Sequence, residues 1–169
     1  MKGQELKKRF EKAYDNWSEK IFGFVVYKVS DREKAIDITQ ETFVKTWDYL
    51  CAGNDIKNLK AFLYRTANNM VIDEYRKRGR RKETSLDNMR EDGFQLQSDG
   101  DDVIRNNSEY SSVLRIVENL PPIYSEAVTL RLVEEMSIKD IADVLNEKAT
   151  TVSVRVHRGT RMLKKMLKE

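Results

Sequence analysis

The sequence has few of the residues that mark catalytic, disulfide-bonded or turn-rich proteins. Its 169 residues include one cysteine, one histidine, two prolines and seven glycines. Cys51 alone cannot form an intramolecular disulfide, which indicates a reducing compartment. With one histidine and no glycine-rich phosphate motif, no familiar catalytic constellation can be assembled. We therefore expect no enzyme activity, catalytic residue, cofactor, metal site or small-molecule substrate.

Long apolar runs are also missing. The first ten residues, MKGQELKKRF, lack the apolar stretch of a signal peptide, and no later stretch approaches membrane-spanning length. These features predict a cytoplasmic protein. Because proline and glycine are scarce, long helices are favoured over a turn-rich β fold.

Charge is plentiful and unevenly distributed. The formal net charge is only +3, but residues 76–82 read RKRGRRK, with six basic residues in seven. The stretch 150–168 holds six more basic residues and no acid. Between them, 83–112 has eight acidic residues and two arginines, a local net charge of −6. Either basic block alone fits a solvated surface as well as it fits a nucleic-acid-binding surface. The two blocks together suggest two surfaces that face nucleic acid.

Hydrophobic spacing predicts an all-α fold of two small modules. In residues 5–82, apolar positions three or four apart predict a bundle of three helices. The first helix has the stripe Leu6, Phe10, Tyr14, Trp17, Ile21 and Val25. A capping box at Ser30 and Glu33 would begin the second helix, a loop begins at Cys51, and Gly79 would end the third. Residues 83–112 are polar and acidic and predict a flexible linker. Residues 113–169 form the second module.

The second module contains the spacing of a helix-turn-helix. Ser137 and Asp140 form a capping box, and Ala142 is the small residue needed where two helices cross closely. Asn146 suits a tight turn with positive φ, and Val152 would anchor the second helix. The outer face of that helix carries candidate DNA contacts at Thr150, Thr151, Ser153, Val154, Arg155, His157, Arg158 and Arg161. A purely structural helical hairpin is the alternative, but it would not need an acid-free outer face.

The remaining motifs carry a resemblance to a known family. The stretch KAIDITQETFVKTWDYL, residues 34–50, resembles the element A-x-D-x-x-Q-E-x-F-x-x-x-W of region 2 in bacterial RNA polymerase sigma factors. The next helix is similar to the continuation of that region at Ala67, Asn69, Asp73, Arg76 and Arg80. The C-terminal segment resembles sigma region 4. Having regions 2 and 4 without others is typical of the extracytoplasmic-function (ECF) group.

The resemblance implies three partners: core RNA polymerase, promoter DNA and an anti-sigma protein. The alternative to the anti-sigma protein is self-occlusion, in which the acidic linker lies against residues 76–82 or the recognition helix. Docking on the clamp helices of the beta-prime subunit is expected at Asp37, Gln40, Glu41, Lys45 and Asp48. The minus-thirty-five element would be bound by the outer face of the recognition helix, with Ser153, Val154, His157 and Arg158 at base edges. The opened minus-ten element would be bound by Asn54, Lys57, Arg65, Asn68, Asn69, Arg76, Lys77, Arg78, Arg80 and Arg81. The family often has a basic residue where this chain has Ser153, so the promoter sequence stays open.

Two other interpretations fit parts of the sequence. An ordinary transcriptional regulator would bind an operator by itself and use its first module for sensing or dimerisation. An RNA-binding adaptor would use the RKRGRRK block independently of residues 113–169.

Overall fold

The structure, a computed structural model, describes residues 2–84 and 108–168. The regular secondary structure in these stretches is helical, as the sequence predicted. The chain divides into two compact units, one holding each stretch. Most of the predicted linker, residues 85–107, lies outside the described residues, so its predicted flexibility is not tested.

Three helices form the described part of unit 1: α1 (Lys2–Val29), α2 (Arg32–Cys51) and α3 (Leu59–Thr84). Each helix contacts the other two. Their shared core is apolar, and its buried members include Ile21, Val25, Ala35, Phe43, Leu63 and Ala67. Burial of these side chains supplies the driving force that a bundle of this size requires.

The stripe predicted along α1 is buried only toward the end of the helix. Ile21 and Val25 are covered, whereas Tyr14 is 49% exposed. Nearer the start, Phe10 packs on Trp47 with ring centroids 4.9 Å apart, and Tyr14 packs on Phe43 at the same separation. The first half of α1 therefore packs on α2 through one tilted and one edge-to-face ring contact, and Tyr14 stays half exposed while Phe43 is buried.

Helix α2 contributes three threonines to the otherwise apolar core. Thr39, Thr42 and Thr46 are buried. Their hydroxyls donate 2.7 Å hydrogen bonds to carbonyls four residues earlier in the same helix. Each hydroxyl is thus satisfied locally, which removes the penalty of burying an unpaired polar group.

The helix boundaries differ from prediction at two points in unit 1. The N-cap of α2 is Asp31, whose side chain accepts from the Lys34 N–H, so the predicted capping box at Ser30 is wrong by one residue. Ser30 instead adopts φ +52 and donates its N–H to the Val26 carbonyl, which ends α1. Gly79 was predicted to end α3, yet the helix continues to Thr84. Gly79 lacks the positive φ by which glycine usually ends a helix.

Unit 2 contains α4 (Ser108–Glu118), α5 (Pro122–Val128), α6 (Ile138–Leu145) and α7 (Ala149–Met166). A single turn of π-helix, Thr129–Val133, continues α5. Helix α4 begins inside the segment predicted as linker, and the end of α3 overlaps that segment too. The core includes Val117, Leu120, Val128 and Leu163, and also the predicted inward residues Ala127 and Leu130.

Helix α7 approaches α5 closely at Gly159. A Cβ atom added there would lie 2.5 Å from Val128 Cγ2 and 3.3 Å from Tyr124 Cβ. No side chain fits without movement of these neighbours, so glycine is required by space at this helix crossing.

Candidate functional site

The predicted helix-turn-helix is formed by α6 and α7. The Ser137 side chain accepts from the Asp140 N–H at 3.1 Å, which caps α6 as predicted. Asn146 ends α6 with φ 52 and ψ 46, the left-handed conformation predicted for the turn. These residues fix the direction in which the chain enters α7.

Buried residues hold α7 against the rest of unit 2. Val152 is fully buried and Gly159 and Leu163 are also buried, whereas Val156 is half-buried. Ala142, on α6, is buried as predicted for the helix crossing. Buried residues on one side of α7 therefore hold it against the rest of unit 2.

The outer face of α7 carries the predicted contacts to the upstream promoter element. Exposed positions in this set are Thr150, Ser153, Val154, His157, Arg158 and Arg161. Thr151 and Arg155 are half-buried. Helix α7 contains no acidic residue, so nothing on it repels a phosphate backbone.

Arg155 differs from its neighbours because it is already paired. Its Nη2 donates to Glu147 Oε1 at 2.8 Å, and its side chain is 21% exposed. The pair joins the start of α7 to the turn before it. A phosphate contact by Arg155 stays a prediction, and it would require sharing or exchange of this partner.

In unit 1, the predicted downstream set begins in the loop between α2 and α3. Cys51, predicted as loop, is the last residue of α2. Asn54 is exposed and donates its Nδ2 to the Tyr49 carbonyl at 3.0 Å, and Lys57 is exposed. Ile56 is buried and its carbonyl accepts from the Arg9 guanidinium, which attaches the loop to α1. The loop is therefore anchored to the bundle and presents Asn54 and Lys57 outward.

The start of α3 has a cap that the sequence analysis missed. Asn58 Oδ1 accepts from the Ala61 N–H at 3.0 Å, the bond an N-cap residue makes. An asparagine immediately before the apolar positions of α3 was the available signal.

Of the three polar residues predicted on α3 next to this loop, two are exposed. Arg65 and Asn69 lie one helical turn apart on the surface. Asn68 is 3% exposed, and its Oδ1 accepts from Lys28 Nζ at 2.7 Å. Asn68 is therefore buried and paired in the bundle, and a DNA contact by this residue stays a prediction. Successive residues on a helix point about 100° apart, so adjacent asparagines need not share a face.

The basic residues at the end of α3 also differ in exposure. Arg76, Lys77, Arg80 and Arg81 are exposed. Arg78 is half-buried and donates Nη1 to the Val29 carbonyl at 3.1 Å. It also lies 3.3 Å from Glu74 and 3.9 Å from Asp31. Arg78 thus attaches α3 to the turn between α1 and α2, a structural role that the sequence analysis did not predict.

The predicted polymerase-binding residues lie on the exposed side of α2. Asp37, Gln40, Glu41, Lys45 and Asp48 are all exposed. Glu41 and Lys45 form an ion pair of 3.1 Å. We call these five residues the α2 face.

The α2 face continues onto α3. An open groove of about 230 Å³ lies where α2 and α3 meet. Its lining includes Asp37, Glu41 and Lys45 from α2 and Asp73, Glu74 and Lys77 from α3. The sequence did not predict this contribution of Asp73 and Glu74, because the contact between α2 and α3 is not local in the sequence.

Comparisons with known proteins assign both units. Residues 13–81 match the family model "Sigma-70 region 2", and residues 110–163 match "Sigma-70, region 4". The chain is 30% identical over 169 residues to the RNA polymerase sigma-H factor of Pseudomonas aeruginosa, covering 95% of this chain and 87% of that protein. It is 25% identical over 167 residues to the ECF RNA polymerase sigma factor SigW of Bacillus subtilis, covering 95% and 89%. The chain belongs to the RNA polymerase sigma factors, in the ECF group.

A solved structure shows the same fold. The sigma factor RpoE in complex with the anti-sigma factor NepR from Bartonella quintana is similar, with a TM-score of 0.67 and 24% identity. The match covers 95% of this chain and 98% of that one. Among the described helices, none is long and apolar enough to cross a membrane.

Proposed function

We propose that this sigma factor binds core RNA polymerase through the α2 face, directs it to promoters through α7, and promotes strand opening through the loop and α3. The observation that carries the proposal is α7 itself. It is fixed by buried residues on one side and presents an acid-free, exposed surface on the other.

Duplex recognition is assigned to the outer face of α7. A helix of this size fits the major groove, where each base pair presents a distinct set of donors, acceptors and methyl groups. Ser153, His157 and Arg158 have hydrogen-bonding groups and are exposed, so we assign them to base edges together with Val154. Thr150, Thr151, Arg155 and Arg161 would hold phosphates and set the register.

Strand opening is assigned to unit 1. Unstacking a base costs a few kcal/mol, so a protein that opens DNA must hold the bases that leave the stack. Asn54 and Lys57 in the anchored loop, with Arg65 and Asn69 on α3, supply exposed hydrogen-bonding groups for this purpose. The exposed cations Arg76, Lys77, Arg80 and Arg81 would follow the phosphates of the displaced strand.

Polymerase would dock on the α2 face. This surface carries both charge signs, which suits specific pairing with a charged helical partner rather than nonspecific binding to one sign. We further propose that an anti-sigma protein covers part of this chain when it is inactive, as NepR is bound to RpoE in the similar structure. The sigma factor performs no covalent chemistry in this scheme, because phosphoryl transfer belongs to the polymerase.

Run-off transcription with purified core polymerase tests the proposal. Genomic fragments upstream of candidate genes serve as templates, with and without this chain. We expect discrete transcripts that require the chain, and we expect weak binding of the chain to the same DNA without polymerase. Specific operator binding by the chain alone, with no effect on core polymerase, would indicate an ordinary regulator. Tight binding to structured RNA by residues 76–82 would indicate an RNA adaptor.

A further inference from the structure

We infer that Val154 is a specificity residue that reads the C5-methyl group of a thymine in the upstream promoter element. The inference rests on the proposed function, and it adds the identity of a base. It begins from the position of Val154, which lies in the first half of α7, two residues after the buried anchor Val152. The side chain of Val154 is nevertheless 47% exposed.

The surroundings of Val154 form a shallow groove on unit 2. Its volume is about 390 Å³, and its lining includes Ile123 and Tyr124 from α5 and Thr150, Val154 and Arg158 from α7. Ile123 is 51% exposed, so the groove has an apolar strip of two aliphatic side chains open to solvent. The charged residues that line the groove are Arg155 and Arg158, so its occupant is expected to be anionic.

A duplex meets both requirements at once. The duplex is anionic, which matches the positive charge of Arg155 and Arg158, and the one apolar group that a base pair presents in the major groove is the thymine methyl. Valine has no donor or acceptor, so Val154 cannot recognise any other base-edge group. The Arg155 guanidinium is bonded to Glu147 at 2.8 Å, on the side of the turn before α7.

Arg158 indicates where in the upstream element the thymine should lie. It follows Val154 by four residues, so the two side chains are neighbours on one helical face. We therefore expect the thymine methyl to be read within a base pair or two of the contact made by Arg158.

Replacing thymine by deoxyuridine removes only the methyl group and isolates this contact. Holoenzyme made with the full chain first selects an upstream element from a random library. Each thymine of that element is then replaced in turn by deoxyuridine, and dissociation constants are measured. For the wild-type chain we expect one position where the replacement weakens binding by about threefold to tenfold, the loss for one or two apolar groups left in water.

Two variants complete the experiment. Val154→Ala should bind the thymine and deoxyuridine duplexes within twofold of each other at that position. Val113→Ala is the matched control, since Val113 is an exposed valine of the same unit, at 45%. It should retain the wild-type preference for thymine. Because both valines are exposed, neither replacement is expected to unfold the unit.

Other outcomes overturn the inference. If no thymine shows a methyl effect, or if Val154→Ala keeps the wild-type preference, Val154 does not read a methyl group. If Val154→Ala weakens binding of core polymerase or of an inhibitor instead, the groove is a protein contact. Failure of the holoenzyme to select any element would refute the proposed function itself, so the two failures are distinguishable.

Discussion

At the scale of single residues, the crossing of α5 and α7 depends on the missing side chain of Gly159. We expect Gly159→Ala to lower the free energy of unfolding of unit 2 by about 1–3 kcal/mol, the usual cost of an extra methyl in a packed site. Amide hydrogen exchange in α5 and α7 measures the loss. Gly79→Ala is the control, because a Cβ there meets nothing within 4 Å. It should stabilise α3 by about 0.5–1 kcal/mol. Equal effects of the two changes would contradict the crossing geometry.

The adjacent asparagines of α3 offer a second test at this scale. Asn68 is buried against Lys28, so Asn68→Ala should destabilise unit 1 by about 1–3 kcal/mol, because it removes a buried side chain together with its hydrogen bond from Lys28 Nζ. Asn69→Ala should change stability by less than about 0.5 kcal/mol and instead reduce strand opening. Thermal unfolding and permanganate reactivity of unpaired thymines separate the two. A stable Asn68→Ala protein with impaired opening would indicate that Asn68 is a DNA contact.

At the scale of helices, the α2 face gives a prediction about docking. Asp37→Ala, Gln40→Ala and Glu41→Ala, combined in one chain, should weaken binding to core polymerase about tenfold or more, since a few residues usually dominate an interface. Circular dichroism should remain that of the wild type, because all three side chains are exposed. The matched control combines Asp15→Ala, Asn16→Ala and Glu19→Ala, an exposed set on α1 that also has two carboxylates and one amide. Equal binding by both triple variants would exclude the α2 face.

The sequence predicted the helices of unit 2 well, because caps, turns and buried stripes depend on residues that are close in the sequence. The cap at Ser137, the turn at Asn146 and the anchor at Val152 each depend on residues within one or two turns, and all were found as predicted. Some local signals were still misread, since α2 is capped by Asp31 rather than Ser30 and α3 continues past Gly79. Contacts between distant segments could not be predicted at all. Asn68 and Arg78 look like members of a polar surface, but α1 and the α1–α2 turn supply their partners from about 40 to 49 residues away.

At the scale of the whole molecule, the two units should affect different stages of initiation. Replacing Arg76, Lys77, Arg80 and Arg81 by glutamine should reduce open complexes while leaving initial binding of the upstream element intact. The reason is that these cations lie in unit 1, which we assign to the opened strand. Arg158→Ala should do the reverse, weakening initial binding by about tenfold to a hundredfold, the worth of one good bidentate base contact.

Footprinting at low temperature, where DNA stays closed, and permanganate reactivity at growth temperature measure the two stages. Circular dichroism controls for folding of the glutamine variant. If both variants reduce only the first stage, the basic end of α3 contributes to general attraction for DNA rather than to strand capture.

The division of the chain into two compact units also bears on how new sigma factors can arise. The outer positions of α7 can change without disturbing the α2 face, because separate cores support them. With the upstream element assigned to α7 and docking assigned to the α2 face, as we propose, a duplicated gene would need only a few substitutions on one helix to acquire a different upstream element while keeping the same polymerase. Under the same proposal, exchange of α7 surfaces between relatives would change the upstream element that is recognised while the α2 face stays constant.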